Sequence, residues 1–552
     1  MKAETASDAP SPYEADVDTV PRGWSAWFGG KNVAIGPRIT ARIVAVGGEY
    51  PEDSDSGLSN SDAILQKQLA EEAGSAIQYR TCSWKKTAAL LFSEYICLVS
   101  RRRILTLNPR ALPLFALFRS MLSVAIMSFP WSYSVLGLVP GLILTVVQAL
   151  LVLYTSLILW QFCLRHPEVR DVCDIGQMLF WNKKWAWWFT AVMFVLNNTF
   201  IQGLHVLTGA KYVNTLIGGE TSAISCQTVS IGFIVALISW IASLPRTFGT
   251  LSKLGTASAF FTFISVILAV IFAGIESHPA GYSPVPTTDP LTGKAAPWGK
   301  PVVTAIPLAT TTFVSGLNAF LNISYTFIGQ ITLPSFIAEM KEPRDFPKAL
   351  WACTIGEIIL FSVVGAGVYA YTGNQYMTTP AFGSLQPVYK KVAFSFMIPT
   401  IIFLGVLYAS VSARFVFLRI FEKSRHKNEN TLVGWVSWAG ILLATWILAF
   451  VIANSIPFFS SLLSLLSSLF DSFFGFIFWG VAYFRMRKAD GTVSLIKDRT
   501  FRGWFEGILN IIIIATGIFF LTAGTYATVQ GIIDEYAAGT VGSPFSCKSN
   551  GI

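Results

Sequence analysis

Long apolar runs are the feature of this sequence that most restricts its fold. A helix needs about 20 mainly apolar residues to cross a bilayer, and a scan for such runs gives eleven candidate spans. The first ends near Gly137, and the others cover about 140–163, 186–213, 228–245, 252–275, 309–338, 350–371, 392–417, 434–453, 456–483 and 506–531. Because lipid offers no hydrogen-bond partners to exposed backbone, these runs predict an all-α polytopic membrane protein.

Composition favours the same class. The 552-residue chain is 53% hydrophobic and 13% charged, whereas soluble domains are roughly 25% charged. Its net charge of +9 is spread over short Lys and Arg clusters between the apolar runs, which argues against nucleic acid as a partner and for membrane lipid. The four histidines and seven cysteines show no catalytic or metal-binding spacing. The sequence therefore predicts neither an enzyme nor a bound metal or cofactor.

The basic clusters also predict an orientation. Most of them, such as those around Arg165, Arg246 and Arg419, fall on alternate connections between spans. By the positive-inside rule these connections are cytosolic, which places the N-terminus in the cytosol and residues 536–552 in an extracytoplasmic tail. We expect the plasma membrane, with the vacuolar membrane as the alternative.

Residues 1–84 differ from the rest of the chain. They are rich in Ser, Asp, Glu and Gly and contain no long apolar run. This composition predicts a cytosolic, mostly disordered segment with one short amphipathic helix between Ser61 and Gly74. The transmembrane domain then covers residues 85–535.

Residues 99–124 interrupt the expected first span. This segment contains five arginines, and removing it joins ALLFSEYICL directly to AIMSFPWSYSVLG as one helix of ordinary length. Either the first span begins instead at about Ala111, or the segment disturbs the fold. Our hypothesis is that residues 99–124 are an insertion or a gene-model artefact, such as retained non-coding sequence.

Two of the spans carry helix-breaking residues. The first contains AIMSFPWSYSVLGLVPG, in which Pro130 removes a backbone donor and nearby serines offer partners to the freed carbonyls. The sixth has no charge from Ala309 to Ala338 but is crowded with amides and hydroxyls, and Gly329 and Pro334 weaken its helix. Interrupted spans five helices apart predict an inverted-repeat transporter whose substrate site lies at the bilayer midplane. Half-helix ends of both polarities suit an amino acid, which carries both charges.

The order of three motifs resembles a known family. SFPWSYSVLGLVPGLILTV, GLHVLTGAKYVNTL and FIAEMKEPRDFPKAL are similar to segments of the amino acid/auxin permease family, and most of all to its fungal neutral amino acid permeases. The resemblance covers about residues 78–535. It implies a leucine-transporter-type fold of two inverted five-helix repeats with an eleventh transmembrane helix, and secondary active amino acid uptake.

The resemblance also implies where the substrate binds. In that family the unwound middles of the first and sixth spans hold it, which singles out Met127, Ser128, Phe129, Ser324, Tyr325, Thr326 and Phe327. Asn198 belongs to a polar patch in the third span, where interhelical hydrogen bonding is the usual role and substrate contact the alternative. Ser128 has a comparable alternative, because its hydroxyl can simply repair the backbone around Pro130.

Coupling to an ion requires a further group. Proton coupling needs an intramembrane titratable residue, for which His205 and Glu357 are candidates, although a structural hydrogen bond is the alternative for both. If sodium is the coupling ion, Ser410 and Ser412 are the expected oxygen ligands, together with carbonyls of the first break. We expect proton-coupled symport of neutral amino acids by alternating access. Sodium coupling and a membrane amino acid sensor that does not transport are the alternatives.

Overall fold

The computed structural model describes residues 27–29, 35–39, 124–539 and 544–545, with gaps at 170, 218–226, 247, 289–294, 339, 341, 422–423, 425, 427–430 and 492–500. Over these residues the chain is helical apart from one antiparallel pair of two-residue strands. The predicted all-α class is therefore confirmed. The predicted helix at 61–74 and residues 99–123 lie outside the described residues.

The helices follow the apolar runs. They are α1 (Phe129–Leu136), α2 (Leu138–Arg165), α3 (Val172–Leu179), α4 (Lys184–Ile217), α5 (Gln227–Ser243), α6 (Phe248–Ile275), α7 (Phe313–Phe327), α8 (Leu333–Ala338), α9 (Phe346–Thr372), α10 (Pro387–Ser395), α11 (Ile398–Ile420), α12 (Leu432–Ser455), α13 (Phe459–Leu466), α14 (Phe478–Ala489), α15 (Phe501–Phe519) and α16 (Thr525–Ala537). Strands β1 (Thr287–Thr288) and β2 (Ala295–Ala296) pair in the loop before α7. Two π-helical segments, Ser467–Ile477 and Phe520–Gly524, join α13 to α14 and α15 to α16.

Seven continuous helical segments among the described residues are long and apolar enough to cross a membrane. They are Leu138–Arg165, Lys184–Ile217, Pro343–Thr372, Ile398–Ile420, Leu432–Ser455, Phe459–Ala489 and Gly503–Ala537. Val229–Ser243 and Phe260–Ile275 are shorter apolar helices in the fourth and fifth predicted spans. The first and sixth predicted spans are broken, so neither contributes a continuous helix of that length.

The break in the first span is a 3₁₀ turn, Val124–Ser128, which runs into α1. Pro130 stands in the first turn of α1, where a missing backbone donor costs least. The corner between α1 and α2 is Gly137, with φ +82°. A Cβ on Gly137 would lie 2.5 Å from the backbone of Ile306, so this corner requires glycine.

The break in the sixth span lies between α7 and α8, at residues 328–332. Ile328 leaves the helix with φ −91° and ψ 104°, and Pro334 stands at the start of α8. Helix α1 packs on both α7 and α9, which places the first interrupted span between them. Helix α4 packs on α11 and α12 in a second group of helices.

Candidate functional site

An aromatic cluster joins the two breaks. The ring of Phe129, the first residue of α1, lies 6.1 Å from the ring of Phe327, the last residue of α7. Both rings contact Phe361 of α9, at 4.8 Å from Phe129 and 5.2 Å from Phe327. The structure therefore brings together the two helix ends that the sequence predicts to be interrupted.

The predicted residues of the first break are fully buried. Met127, Ser128 and Phe129 each have 0% of their surface exposed. The Ser128 hydroxyl donates to the carbonyl of Ala125 at 2.8 Å, within the 3₁₀ turn. The hydroxyl proton is therefore used within the turn, on a carbonyl five residues before Pro130, and the oxygen retains its lone pairs.

Helix α2 holds both sides of the break in the sixth span. The amide nitrogen of Gln148 donates to the Ser324 hydroxyl at 2.8 Å, and that of Gln330 donates to Thr155 at 3.0 Å. Thr326 donates to the carbonyl of Asn322 at 3.2 Å. The first two bonds therefore tie the last turns of α7 and the break itself to the continuous helix α2, whereas the Thr326 bond lies within α7.

Tyr325 lies between two parts of the core. It is partly buried and packs against both the apolar cluster around α1 and the cluster around α2 and α3. Phe327 is 5% exposed and belongs to the first of these clusters. The side chains of the sixth break thus form part of the wall between the two clusters.

Asn318 and Asn322 tie α7 to neighbouring helices. The amide nitrogen of Asn322 lies 2.8 Å from the Ser464 hydroxyl and 3.0 Å from the carbonyl of Ser460, both in α13. Asn318 donates to the carbonyl of Ala527 at 3.1 Å. These amides, which crowd the sixth span in the sequence, serve helix-to-helix bonding, as intramembrane amides commonly do.

The other predicted polar residues lie where α4 meets α11. The contact pairs along the two helices are Gly209 with Ile401, His205 with Gly405 and Phe194 with Phe415. Residue numbers rise along one helix as they fall along the other, so the two helices are antiparallel. This register places Asn198 level with Ser412. Both are buried, and His205 is 3% exposed.

Several polar atoms at this interface have no hydrogen-bond partner within the described part of the chain. They are Asn198 Nδ2, Gln202 Oε1 and Nε2, His205 Nδ1 and Ser412 Oγ. Gln202 is 0% exposed and lies on the same face of α4 as Asn198. An unpaired buried amide is costly, so these groups indicate room for water or a ligand between α4 and α11.

Glu357 and Ser410 occupy separate positions. Glu357 lies one helical turn before Phe361 on α9, is partly buried, and accepts from the Cys353 thiol at 3.6 Å. Ser410 is 2% exposed, and its hydroxyl has no partner among the residues that the structure describes. Glu357 is therefore on α9, whereas Ser410 and Ser412 are on α11.

Sequence reasoning missed several residues around the breaks. Phe361 and Gln148 were not predicted, because an aromatic or an amide in a long apolar span carries no signal of which way it faces. Gln202 was not missed, because it belongs with Asn198 to the polar patch predicted in the third span. Only the packing of α4 on α11 shows that both are buried together.

Comparison with known proteins identifies the family. Residues 113–530 match the family described as "Transmembrane amino acid transporter protein". The chain belongs to this family. A relative from Neurospora crassa, the "N amino acid transport system protein", is 30% identical over 504 residues, which cover 90% of this chain and 96% of the relative.

Two further relatives span most of the chain. A "Transmembrane transporter" from Gibberella moniliformis is 28% identical over 505 residues, covering 91% of this chain and 94% of that protein. A "Transmembrane transporter" from Fusarium pseudograminearum is 28% identical over 495 residues, which cover 88% of this chain and 90% of that protein. Membership of the family makes the protein a multi-pass membrane amino acid transporter rather than an enzyme.

Proposed function

We propose that this protein is a secondary active transporter that moves neutral amino acids together with protons by alternating access. The observation that carries the proposal is the meeting of the two interrupted spans at Phe129, Phe327 and Phe361. Interrupted spans five helices apart favour a leucine-transporter-type fold of two inverted five-helix repeats, with α15 and α16 as the eleventh transmembrane helix.

The substrate backbone binds between the breaks. Helix α1 follows the 3₁₀ turn at Phe129, and we assign the substrate carboxylate to the positive end of this helix, where Pro130 offers no N–H and the other backbone N–H groups would bind it. Helix α7 ends at Phe327, where carbonyl groups suit the ammonium. The proposed contacts are Met127, Ser128, Phe129, Ser324, Tyr325, Thr326 and Phe327, with Asn198 as a more distant member.

The aromatic cluster favours a neutral substrate. Three buried phenyl rings beside the breaks offer an apolar surface to a side chain and no charge to pair with a charged one. Burying an unpaired charge there would be costly. Apolar amino acids therefore fit this site better than acidic or basic ones.

Proton coupling is proposed through His205 or Glu357. Both are ionisable groups inside predicted spans, which is where transporters place proton-binding residues. The sodium alternative rests on Ser410 and Ser412, whose buried hydroxyls have no partner among the described residues and are hard oxygen ligands.

The proposed location is the plasma membrane, with the vacuolar membrane as the alternative. The proposed arrangement has a cytosolic segment 1–84, a transporter domain 85–535 and an extracytoplasmic tail 536–552. The support for this orientation is the excess of Lys and Arg on one set of connections.

Uptake of labelled amino acids in a permease-deficient host tests this function. We expect accumulation that disappears when the proton gradient is collapsed and persists when sodium is replaced. Binding without accumulation would favour the amino acid sensor, and loss of uptake on sodium replacement alone would favour sodium coupling.

A matched pair of variants tests the site. Ser324→Ala removes the hydroxyl that Gln148 holds, and we expect its KM to rise roughly three- to tenfold, because one hydrogen bond contributes about 0.5–1.5 kcal/mol. Ser315→Ala, in the first turn of the same helix, is the control and keeps the wild-type KM. Equal KM values for the two variants would place the substrate elsewhere.

A further inference from the structure

A stretch of chain that precedes the first span lies across one end of the helix bundle. Its described residues are 27–29 and 35–39, which we call the strap. The indole of Trp351, near the start of α9, donates to the carbonyl of Trp27 at 3.0 Å, and the Trp351 ring stacks on that of Phe28 at 5.5 Å. Residues 35–39 contact the end of α2 instead. The strap therefore bridges α9 and α2, which pack on each other.

The second part of the strap is held at several points. Ile35 is 8% exposed and packs in the apolar cluster around α2 and α3. Arg165, the last residue of α2, donates to the carbonyl of Pro37 at 3.3 Å. The N–H of Ile39 donates to Nε2 of His166 at 3.0 Å. Of these contacts, the one at His166 depends on pH, because its acceptor nitrogen can gain a proton.

The bond from Ile39 determines which nitrogen of the His166 ring carries a proton. A backbone N–H can only donate, so Nε2 has no proton while this bond exists. A neutral imidazole has one N–H, which must then be at Nδ1. Nδ1 lies 3.0 Å from Glu168 Oε1 and therefore donates to this carboxylate. The neutral ring thus joins the strap to Glu168, with one hydrogen bond at each nitrogen.

Glu168 is placed to compensate a positive charge on His166. The imidazole is 0% exposed, and Glu168 Oε2 has no hydrogen-bond partner within the described part of the chain. Among the described residues, those that flank this pair with charged or titratable groups are Arg165 and Cys163 on α2, Arg38 on the strap, and Asp490, which pairs with Arg165 at 2.7 Å. Because Asp490 is already paired with an arginine, Glu168 is the anion that serves the ring.

We propose that His166 is a proton sensor that releases the strap. Histidine side chains commonly change charge between about pH 5 and 8. A proton from solvent at this end bonds to Nε2 and turns it into a donor, so the Ile39 N–H loses its acceptor. The bond from Nδ1 to Glu168 becomes charge-assisted and stabilises the protonated ring. Acidification therefore replaces the bond to the strap by an ion pair, and loss of the proton restores the strap.

Release of the strap affects two helices that are connected to the sixth break. Helix α9 follows α8, the second half of the sixth span, and Thr155 of α2 bonds to Gln330 in the break. The Trp160 indole of α2 also donates to the carbonyl of Pro343, just before α9, at 2.8 Å. A bound strap adds a further link between α2 and α9 and restrains their relative movement. The effect on transport rests on the proposed alternating access, whereas the release itself does not.

Hydrogen–deuterium exchange of the full-length protein in detergent tests the release. The rate at the Ile39 amide is measured between about pH 5 and 8 and divided by the intrinsic rate at each pH. We expect protection of this amide in the wild type to fall roughly three- to tenfold towards acidic pH, because one hydrogen bond is lost.

A matched pair of histidine variants separates the sensor from a general effect of pH. In His166→Gln the side-chain oxygen accepts from the Ile39 N–H but does not titrate, so we expect protection that stays within about twofold over the same pH range. His278→Gln is the control, because His278 is exposed and its ring stacks on Tyr282. This control keeps the wild-type profile.

A variant of the carboxylate gives a readout that a structural role would not move. Glu168→Gln keeps an oxygen for the Nδ1 proton but removes the negative charge that favours a charged ring. We expect the pH of half-maximal release to fall by about one unit.

Substrate exchange in proteoliposomes, at equal pH on both sides, measures the effect on transport. His166→Ala removes the acceptor at every pH, so we expect its substrate exchange at about pH 8 to be roughly threefold faster than that of the wild type. An equal rate would overturn the restraint of transport by the strap.

Three outcomes overturn the sensor. They are constant protection of the Ile39 amide in the wild type, a pH profile of His166→Gln that matches the wild type, and an unchanged midpoint for Glu168→Gln. The proposed function is judged separately, because the hydrogen–deuterium exchange is measured without substrate. A wild type that releases its strap but does not transport would refute the proposed function and support the sensor.

Discussion

Hydroxyl groups beside the two breaks differ in what they can offer a ligand. Ser128 donates its proton to the carbonyl of Ala125, so only its lone pairs remain. Ser324 instead accepts from Gln148, which leaves its own proton for another acceptor. Of these two hydroxyls, only that of Ser324 therefore keeps a proton to donate.

A carboxylate at the edge of the bundle gives a prediction for stability against pH. Burial raises the pKa of Glu276, which follows the end of α6, and a hydrogen bond from the backbone N–H of Gln386 partly opposes the rise. A raised pKa means that the folded state holds the proton more tightly than the unfolded state. The stability from this group is therefore present at low pH and lost as pH rises through the folded-state pKa.

Glu276→Gln should remove this dependence. The amide keeps an oxygen for the Gln386 N–H but cannot ionise, so we expect a higher Tm than wild type at alkaline pH and a smaller difference at acidic pH. Thermal unfolding of both proteins in the same detergent, from acidic to alkaline pH, measures how the difference between their Tm values changes with pH. A wild type that gains stability relative to the variant as pH rises would contradict it.

At the scale of the helix, the sixth break is held by a continuous neighbour. Helix α2 bonds to the end of α7 through Gln148 and to the break itself through Thr155. The start of α2 is bonded in turn to the segment before α7, since the N–H groups of Leu138 and Val139 donate to Thr304 and Ala305 at 3.0 Å. The two interrupted spans are thus joined through α2 as well as through their phenyl rings.

The corner at Gly137 is a sensitive point of this arrangement. In Gly137→Ala the new Cβ would lie 2.5 Å from the Ile306 backbone, at a residue with positive φ. We therefore expect the free energy of unfolding to fall by about 1–3 kcal/mol and the Tm to fall with it. Gly440→Ala on α12 is the control, because a Cβ there meets nothing within 4 Å. Equal Tm values for the two variants would contradict the assignment of strain to this corner.

On the scale of the whole molecule, one end of the bundle is held by a buried ion pair and by contacts from the segment that precedes the spans. Arg165, the last residue of α2, forms a bidentate ion pair with Asp490, which follows α14, at distances of 2.7 and 3.0 Å. Trp27 and Ile39 lie at this same end, where the N–H of Ile39 donates to His166 and the Trp351 indole donates to the Trp27 carbonyl, both at 3.0 Å.

The continuity of the first span leads to a prediction about the transcript. If residues 99–124 are retained non-coding sequence, most transcripts lack them and join ALLFSEYICL to AIMSFPWSYSVLG. Sequencing of transcripts across codons 95–130 measures this directly. Reads that uniformly contain the segment would show that it belongs to the functional protein.

The sequence by itself determined the helices and the positions of the two breaks. Lipid provides no hydrogen-bond partners, so the backbone must form helices wherever the chain is apolar, and Pro130, Gly329 and Pro334 mark where it cannot. These signals are local. They also sufficed, with the motifs after the third and sixth spans, to indicate the family that the comparisons confirm.

Only the tertiary structure decided which side chains meet. Gln148 and Ser324 are 176 residues apart, and Arg165 and Asp490 are 325 residues apart. Apolar spans bury residues on every face, so the sequence of a single span does not reveal which neighbour a polar group reaches. The packing of the helices supplies that information, and with it the aromatic cluster between the breaks.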